Sequence, residues 1–557
     1  MRIPARTKKC VITLRDIIFT SDGSQIESAF FGYGFQGTDL VIGHEGFRAF
    51  TESGRRFQSD NDGCYLYVQA DGSGNTIFST DFRGYFPLFY YSSGSSWIVS
   101  PSFELVARAA RRRNLPLTLC KAQLDAWKSN SALLQAPTSE RTPFAEIRLL
   151  SYDKKIIAGD KLIVSHRKRQ PAHNSYETAL SDLLAIWGGR IMTILDGGMA
   201  IRADLTGGVD SRTVFSVILH TLQMTGRCDF LSSEAILFNS DRRQQEDFAV
   251  ACQISDFFGF PINNPNRRQY TLLEDETSYI TWRRYNLARY SPHILPVASQ
   301  DSTIITFNGV GGEDHRDFYE SFGRGPLGEY IANFQPIFAN PKDFGAWMGD
   351  LHADIDLPVT SYDSTMPAAV RHYRRHRSRH HTAKQPSSEL MGVILGSRAA
   401  YECARFLDRD ALHTNQLLFD IMINCSEDLA KLPYDQPEKA PQQINFDRLT
   451  RLKKIKPAQT GSIWRDPLAP STTVKTQGRN IPLRKAVEEA LRCPEVRELA
   501  GEAILQKLQQ QLEKLTPTTN LHQNGHLIHY ILLADVVCKY RTDVNSGTLA
   551  DSPAYTN

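Results

Sequence analysis

Between Tyr176 and Gly309 the sequence switches repeatedly between two hydrophobic periods, and that alternation leaves the chain few architectures. Tyr176, Leu180, Leu183, Leu184, Trp187, Ile191, Ile194 and Leu195 recur at helical spacing and define one apolar face. Asn174 or Ser175 is placed to cap that helix, and Gly197-Gly198 to stop it. A short strand, Met199–Leu205, follows at once, then Thr206-Gly207-Gly208, then a helical pattern from Ser211. The order recurs with a strand in Cys228–Phe238, a helix around Gln244–Phe258 and a strand in Ser302–Gly309. Parallel neighbours need a crossover long enough to hold a helix, so this spacing predicts an α/β unit with a doubly wound parallel sheet.

The flanks read differently. Before residue 165 the runs Cys64–Ala70, Thr76–Thr80, Pro87–Tyr91 and Ser96–Ser100 are short, apolar or alternating. Turn signals at Asp71–Asn75 and Ser92–Ser95 separate them, which predicts antiparallel sheets. From 390 to 541 the signal is mostly helical: Ile504, Leu505, Leu508, Leu512 and Leu515 form one stripe, and Leu527–Val537 a second apolar segment. The predicted division is an N-terminal β domain (1–167), a second domain (168–545) and a polar, disordered tail (546–557).

Composition limits the function classes. The 557 residues are 41% apolar and 22% charged, ordinary values for a globular chain. The 64 basic against 61 acidic residues give a net charge of +3, too near neutral to imply nucleic acid as a partner. Nine scattered cysteines without a C-x-x-C pair read as free thiols in a reducing compartment. The first apolar stretch ends at Arg15, too short for a signal peptide, and no run is long enough to span a membrane. A cytoplasmic protein is expected.

The most informative segment is Leu205-Thr206-Gly207-Gly208-Val209-Asp210-Ser211-Arg212. A strand feeding a two-glycine turn that opens a helix is an anion cradle: backbone comes close, and the first helical N–H groups and the dipole point at the charge. Ser211 adds a hydroxyl, and Asp210 suits a Mg²⁺ ion bridging phosphates. The plainer reading is a strand-to-helix turn with an Asp/Ser cap. Thr206 to Ser211 resembles the Ser-Gly-Gly-x-Asp-Ser pyrophosphate loop of N-type ATP pyrophosphatases, with Thr for the first Ser. Asn308-Gly309-Val310-Gly311-Gly312-Glu313-Asp314-His315-Arg316 resembles the second glycine motif of asparagine synthetase-like enzymes, which supplies another metal-binding carboxylate. The Gly-Gly-Glu variant, and Arg directly after Asp-Ser, resemble members from surface-polysaccharide and natural-product pathways, such as β-lactam synthetases and lasso-peptide cyclases, more than housekeeping asparagine synthetases. On this resemblance Asp210 and Glu313 hold Mg²⁺, with Asp314 as a rival ligand.

Asp62–Val68 and Ser79–Tyr90, continued by Ile98–Glu104, are similar to the class II glutamine amidotransferase domain, a sandwich of two antiparallel sheets of the N-terminal-nucleophile hydrolase type. A glutaminase of that type needs a terminal Cys whose own α-amine is the base. The chain begins Met1-Arg2-Ile3 and Cys10 lies on an expected strand, so this domain is read as a relic without glutaminase chemistry.

The implied reaction is ATP-dependent amide formation: a substrate carboxylate is adenylated, pyrophosphate leaves, and an amine or ammonia displaces AMP. The resemblance assigns Leu205, Thr206, Gly207, Gly208, Asp210, Ser211, Gly311 and Gly312 to ATP, with Ser232 and Ser233 as adenosine contacts. The family's late Lys has no clean match. Asn480-Ile481-Pro482-Leu483-Arg484 carries Asn in its place, which leaves Lys439 as the catalytic candidate and Lys431 as a second, both also readable as solvated surface lysines. Glu246 or Asp247 could face the site, although a solvated helix face is the simpler reading. Arg371–Lys384, with six Lys/Arg and four His, reads as a mobile, solvated segment, and its i, i+4 histidines lack a carboxylate partner. Two other readings stay open: a non-catalytic scaffold that keeps the fold, and an RNA-modifying or sulfur-transferring enzyme of the same loop class. The synthetase reading requires that Asp210 and the 313–314 acids share one face, and that the loop's amides be open to a ligand.

Overall fold

A computed structural model describes residues 17–22, 28–129, 131–263, 303–316, 331–355, 366–381, 390–453, 455–465, 480–516 and 525–542. The expectations for Cys10, for Thr382–Lys384 and for the tail 546–557 lie outside the described residues.

Alternating side chains before residue 167 build two antiparallel sheets. The smaller joins β1 (Phe19–Thr20), β7 (Ser96–Ser100), β6 (Phe89–Ser93) and β8 (Ile147–Leu149), in that order. The larger contains β2 (Ser28–Gln36), β3 (Asp39–Ile42), β4 (Gly63–Ala70), β5 (Thr76–Thr80), β9 (Lys154–Ala158) and β10 (Leu162–His166). Its order is β10-β9-β5-β4-β2-β3, extended past β3 by a late strand, β15 (Ile463–Arg465), which pairs in parallel. Sequence reading missed β15, because three half-buried residues carry no usable period.

The second unit opens with α1 (Tyr176–Asp196), capped by Ser175, whose hydroxyl accepts from the Thr178 amide, and ended at Gly197. Among the described residues α1 is the one helix long and apolar enough to cross a membrane; 72% of that window is buried, as in a core helix. Four strands then form a parallel sheet in the order β12-β11-β13-β14: β11 (Ala200–Asp204), β12 (Ile236–Asn239), β13 (Ile304–Phe307) and β14 (Leu390–Gly392). Helix α2 (Val209–Thr225) follows β11, and α3 (Gln245–Phe258) follows β12. The chain leaves β11 on one side for β12 and returns on the other for β13. Crossovers part at that point, the place beyond the carboxyl ends of β11 and β13 where open sheets of this kind form their ligand crevice.

Trp187 of α1 ties the two units together, its ring meeting Phe35 of β2 at 5.6 Å and Phe307 of β13 at 6.1 Å. The mostly helical C-terminal region includes α6 (Asn480–Ala490) and α7 (His526–Tyr540), numbered after α4 and α5 described next. Both pack in one core with Phe89, Tyr91 and Ile98 of the small sheet and the helix Phe103–Arg112. A boundary at 167 therefore divides both cores, and it also cuts β15 away from the larger sheet.

The 371–381 segment is corrected outright. Helix α4 (Pro341–Ile355) packs on α5 (Ala368–Tyr373), which runs on through a π turn, Arg374–Ser378. His372, Arg374, Arg375, His376, Arg377, Arg379 and His380 are all buried rather than solvated. Backbone oxygens absorb the donors: Arg379 donates to Gly84 O (3.0 Å) and Leu150 O (2.8 Å), and Arg374 to Asp314 O (2.8 Å). Burial pushes the His372 imidazole down to about 4.

Candidate functional site

The two glycine motifs stand at the carboxyl ends of β11 and β13, and they touch. A Cβ on Gly309 would sit 2.6 Å from Asp210 Cβ, and one on Gly312 would overlap the Asp210 carboxylate. Only bare backbone fits there. Gly311 adopts φ +93°, in the left-handed region that favours glycine, and a side chain on it would run into the Gly396 amide. The turn after β13 is thereby pressed between the loop after β14 and the start of α2.

Asp210 lies in the first turn of α2, where the dipole favours an anion. Its carboxylate is ion-paired with Arg316. Burial pushes the Asp210 carboxyl up, Arg316 pulls it down, neighbouring Glu313 pushes it up and Lys439 pulls it down; the net direction is upward. Glu313, Arg316 and Lys439 thus all lie within electrostatic reach of Asp210, although the sequence places Lys439 more than two hundred positions away. Glu313 accepts from the Tyr373 hydroxyl, and burial followed by that carboxylate drives the Tyr373 phenol well above its ordinary value.

Lys439 closes the site from the opposite flank. It ends a short 3₁₀ turn, Pro437–Lys439, and pairs with Asp435, which packs against Gly207. Arg212 holds that segment: its guanidinium donates to Leu429 O (3.3 Å), Leu432 O (2.9 Å) and Pro433 O, and stacks 3.7 Å over the Tyr434 ring. The arginine directly after Asp-Ser is thus a positioning residue. Lys431 instead pairs with Glu427 at the surface (2.9 Å), with 60% of its side chain exposed.

The loop's own amides are occupied by protein. Thr206 N donates to Ser211 Oγ (3.1 Å), Gly207 N to Asp247 Oδ1 (2.8 Å) and Gly208 N to Thr206 Oγ1 (3.2 Å). Gly208 provides no side-chain cap for α2. Of the two conditions set by the synthetase reading, shared location is met for Asp210 and Glu313; open amides are not met at 206–208. The Gly207 contact bears on both sides, because an anionic oxygen already sits where the turn offers an N–H to anions. Asp247 accordingly faces the loop, not solvent, while Glu246 is exposed.

Several candidates are displaced. Ser232 lies in a 3₁₀ turn, Cys228–Ser232, ahead of β12 rather than on it; it is exposed at the amino edge of the sheet and its hydroxyl donates to Asp229 O (3.3 Å). Ser233 lies at the same edge and donates to Phe230 O. The strand is shorter than its apolar residues suggest, and the β12 residue level with Asp204 is Asn239. Asp314 is fully buried and bound to Arg83 (3.0 Å), with its other oxygen lacking a hydrogen-bond partner. Its carboxylate serves a buried ion pair between the two units instead of the crevice. Arg83 reaches it because Asp81 accepts from the amides of Arg83 (3.0 Å), Tyr85 (2.9 Å) and Phe86 (2.9 Å), folding the Asp-Phe-Arg-Gly turn around one carboxylate. The Asn480–Arg484 stretch opens α6 away from that region: Leu483 enters the C-terminal core, and exposed Arg484 donates to Leu512 O and Leu515 O.

Asp210 and Glu313 offer carboxylate oxygens of the kind a hard divalent cation takes, but Asp210 is ion-paired with Arg316 at a helix N-terminus, so an ion has to displace that guanidinium. Leu205 is buried beneath the turn. Arg316, Tyr373 and Asp435 went unassigned in the sequence; only Arg316 carried a signal there, its place three residues past Glu313. Neither a protein-family model nor a curated protein matches this sequence.

Proposed function

We propose that the chain is an ATP-dependent, AMP-forming carboxylate–amine ligase of the asparagine synthetase-like kind, acting in the cytoplasm on a small-molecule or peptide carboxylate. The observation that carries the reading is the meeting of Asp210, Glu313, Arg316 and Lys439 at the switch point of the parallel sheet, with Gly309 and Gly312 pressed against Asp210. Free thiols at all eight described cysteines accord with a reducing compartment.

In this reading a substrate carboxylate oxygen attacks the α-phosphorus of ATP, the bond to the bridging oxygen breaks, and pyrophosphate leaves. An amine nitrogen then attacks the acyl carbon, loses a proton, and expels AMP. Asp210 and Glu313 would hold Mg²⁺, which supplies neutralisation of phosphate charge. Ser211 and the Gly207 and Gly208 amides take the leaving pyrophosphate once Asp247 and Thr206 release them. Lys439 and Arg316, already drawn to carboxylates in the crevice, stabilise charge as it develops on phosphate oxygens. Catalysis by such a site is positioning and fixed charge, with no covalent step on the protein.

The occupied amides favour a second reading, a scaffold that keeps the fold without turnover. Two measurements separate them. Pyrophosphate release from ATP with a panel of carboxylates and amines is expected for the native chain and not for Asp210→Ala. Thermal unfolding with Mg²⁺ and ATP at 100 Kd is expected to show about 2.7 kcal/mol of added stability. Nucleotide that neither stabilises the protein nor turns over would leave the scaffold reading standing alone.

A further inference from the structure

We propose that Asp354, His372 and His376 form a buried binding site for one borderline divalent metal ion, zinc foremost, separate from the Asp210–Glu313 crevice. Asp354 comes from the last turn of α4, His372 from α5 and His376 from the π turn that continues it. The histidines are four apart, and their rings stand 4.9 Å centre to centre on one side of the segment. One ligand atom from each of the three residues lies within 4.8 Å of the others, and the three are 4%, 1% and 2% exposed.

The orientation of the rings is what a metal needs. His372 Nε2 lies 2.8 Å from the Thr138 carbonyl oxygen. That donation fixes the proton on Nε2 and leaves Nδ1 as the lone-pair nitrogen, the arrangement by which ligating imidazoles are held from behind. His376 Nε2 stands 2.9 Å from Asp354 Oδ2, and its Nδ1 is buried without a partner. Buried imidazole nitrogens are rarely left so. Arg375 donates to the same Asp354 oxygen (2.8 Å) and to the Asp354 backbone carbonyl (2.7 Å), which locks the carboxylate in place. Two imidazoles and one carboxylate select a borderline ion over Mg²⁺ or Ca²⁺. Tetrahedral bonds of about 2.1 Å put ligand atoms about 3.4 Å apart, so modest side-chain rotation closes the cluster around an ion. The π turn supports the assignment, since such widened turns gather at functional positions.

Chelator-dialysed full-length protein is titrated with Co²⁺ and followed by visible absorption, then back-titrated with Zn²⁺. One Co²⁺ per chain is expected, with the weak d–d bands of nitrogen and oxygen ligands, no thiolate charge-transfer band, and full displacement by Zn²⁺. His376→Ala and Asp354→Asn weaken binding at least about 10-fold. Asp210→Asn leaves it unchanged, so the outcome is independent of the ligase reading. Should a variant fail to fold, X-ray absorption of zinc-loaded native protein decides instead, with two imidazoles and no sulfur expected. Absence of stoichiometric binding, a thiolate band, another ligand count, or binding indifferent to both substitutions overturns the proposal.

Discussion

Asp210 touches the glycine turn at 309–312 and Asp314 follows it, yet their surroundings differ, and asparagine at each separates their duties. Asp314 and Arg83 are 0% and 2% exposed and 3.0 Å apart. Arg83 also donates to Arg374 O (3.1 Å) and Ser378 Oγ (3.0 Å) and lies 4.4 Å over the Tyr401 ring, so it has no route to water. Asp314→Asn strands that guanidinium. Breaking a buried pair from one side costs about 3–5 kcal/mol. At roughly 2–4 °C per kcal/mol for a unit of 150–250 residues, the midpoint falls by roughly 6–20 °C. The apolar double replacement Arg83→Met with Asp314→Leu is expected to lose less than Asp314→Asn alone, because no charge is left behind. The assay is thermal unfolding with and without Mg²⁺ and ATP: Asp314→Asn keeps the ligand-induced increment on a lower baseline. Asp210→Asn does the reverse, holding or raising the baseline while the increment disappears, since burial works against its charge. An Asp314→Asn baseline within about 0.5 kcal/mol of native, with the increment lost, would refute the division of labour.

Other expectations follow from the same geometry. Gly312→Ala drives a methyl into the Asp210 carboxylate, so it is expected to cost about 1–3 kcal/mol and to abolish nucleotide-induced stabilisation, both read by thermal unfolding. Asp247→Ala removes the oxygen on the Gly207 amide; calorimetric titration should show tighter MgATP binding, and weaker binding would make Asp247 a ligand rather than a plug. Asp420, held by Tyr176 Oη (2.6 Å) and Gln416 Nε2 (3.0 Å), is pushed by burial from 3.8 up to about 6. A raised folded-state carboxyl stabilises the fold when protonated, so about 3 kcal/mol is lost as pH climbs from 3.8 through 6. Denaturant titrations from pH 4 to 7 should show that slope in the native chain and a flatter one in Asp420→Asn.

Legibility in the sequence followed the range of the forces involved. The α1 helix with its Ser175 cap, the strands at 200–204 and 304–307, and the turn before α2 rest on local periodicity and capping, and were read within a residue or two. The misreadings share a cause. Arg374, His376 and Arg379 look like a solvated charge run, because nothing in a one-dimensional string reports the carbonyls of Gly84 and Leu150 or the carboxylate of Asp354 waiting for them. The histidine pair has no acid at helical spacing in the sequence; the acid comes from α4, eighteen positions before His372. Asp314 reads as a rival to Glu313, whereas the 3₁₀ turn Gly312–His315 sends the two side chains to different partners, Arg83 and Tyr373. Ser232 was misplaced because an apolar run marks the existence of a strand better than its ends.

Strand β15 has a consequence for anyone dividing this chain. Ile463, Trp464 and Arg465 lie beside Leu40, Val41 and Ile42, and the Leu40 amide donates to Ser462 O (3.0 Å). A fragment ending near 167 would leave β3 as a naked, apolar margin hungry for any passing strand. Expressed apart, the halves are expected to clump, because the cut opens this seam and also splits two cores that both halves build.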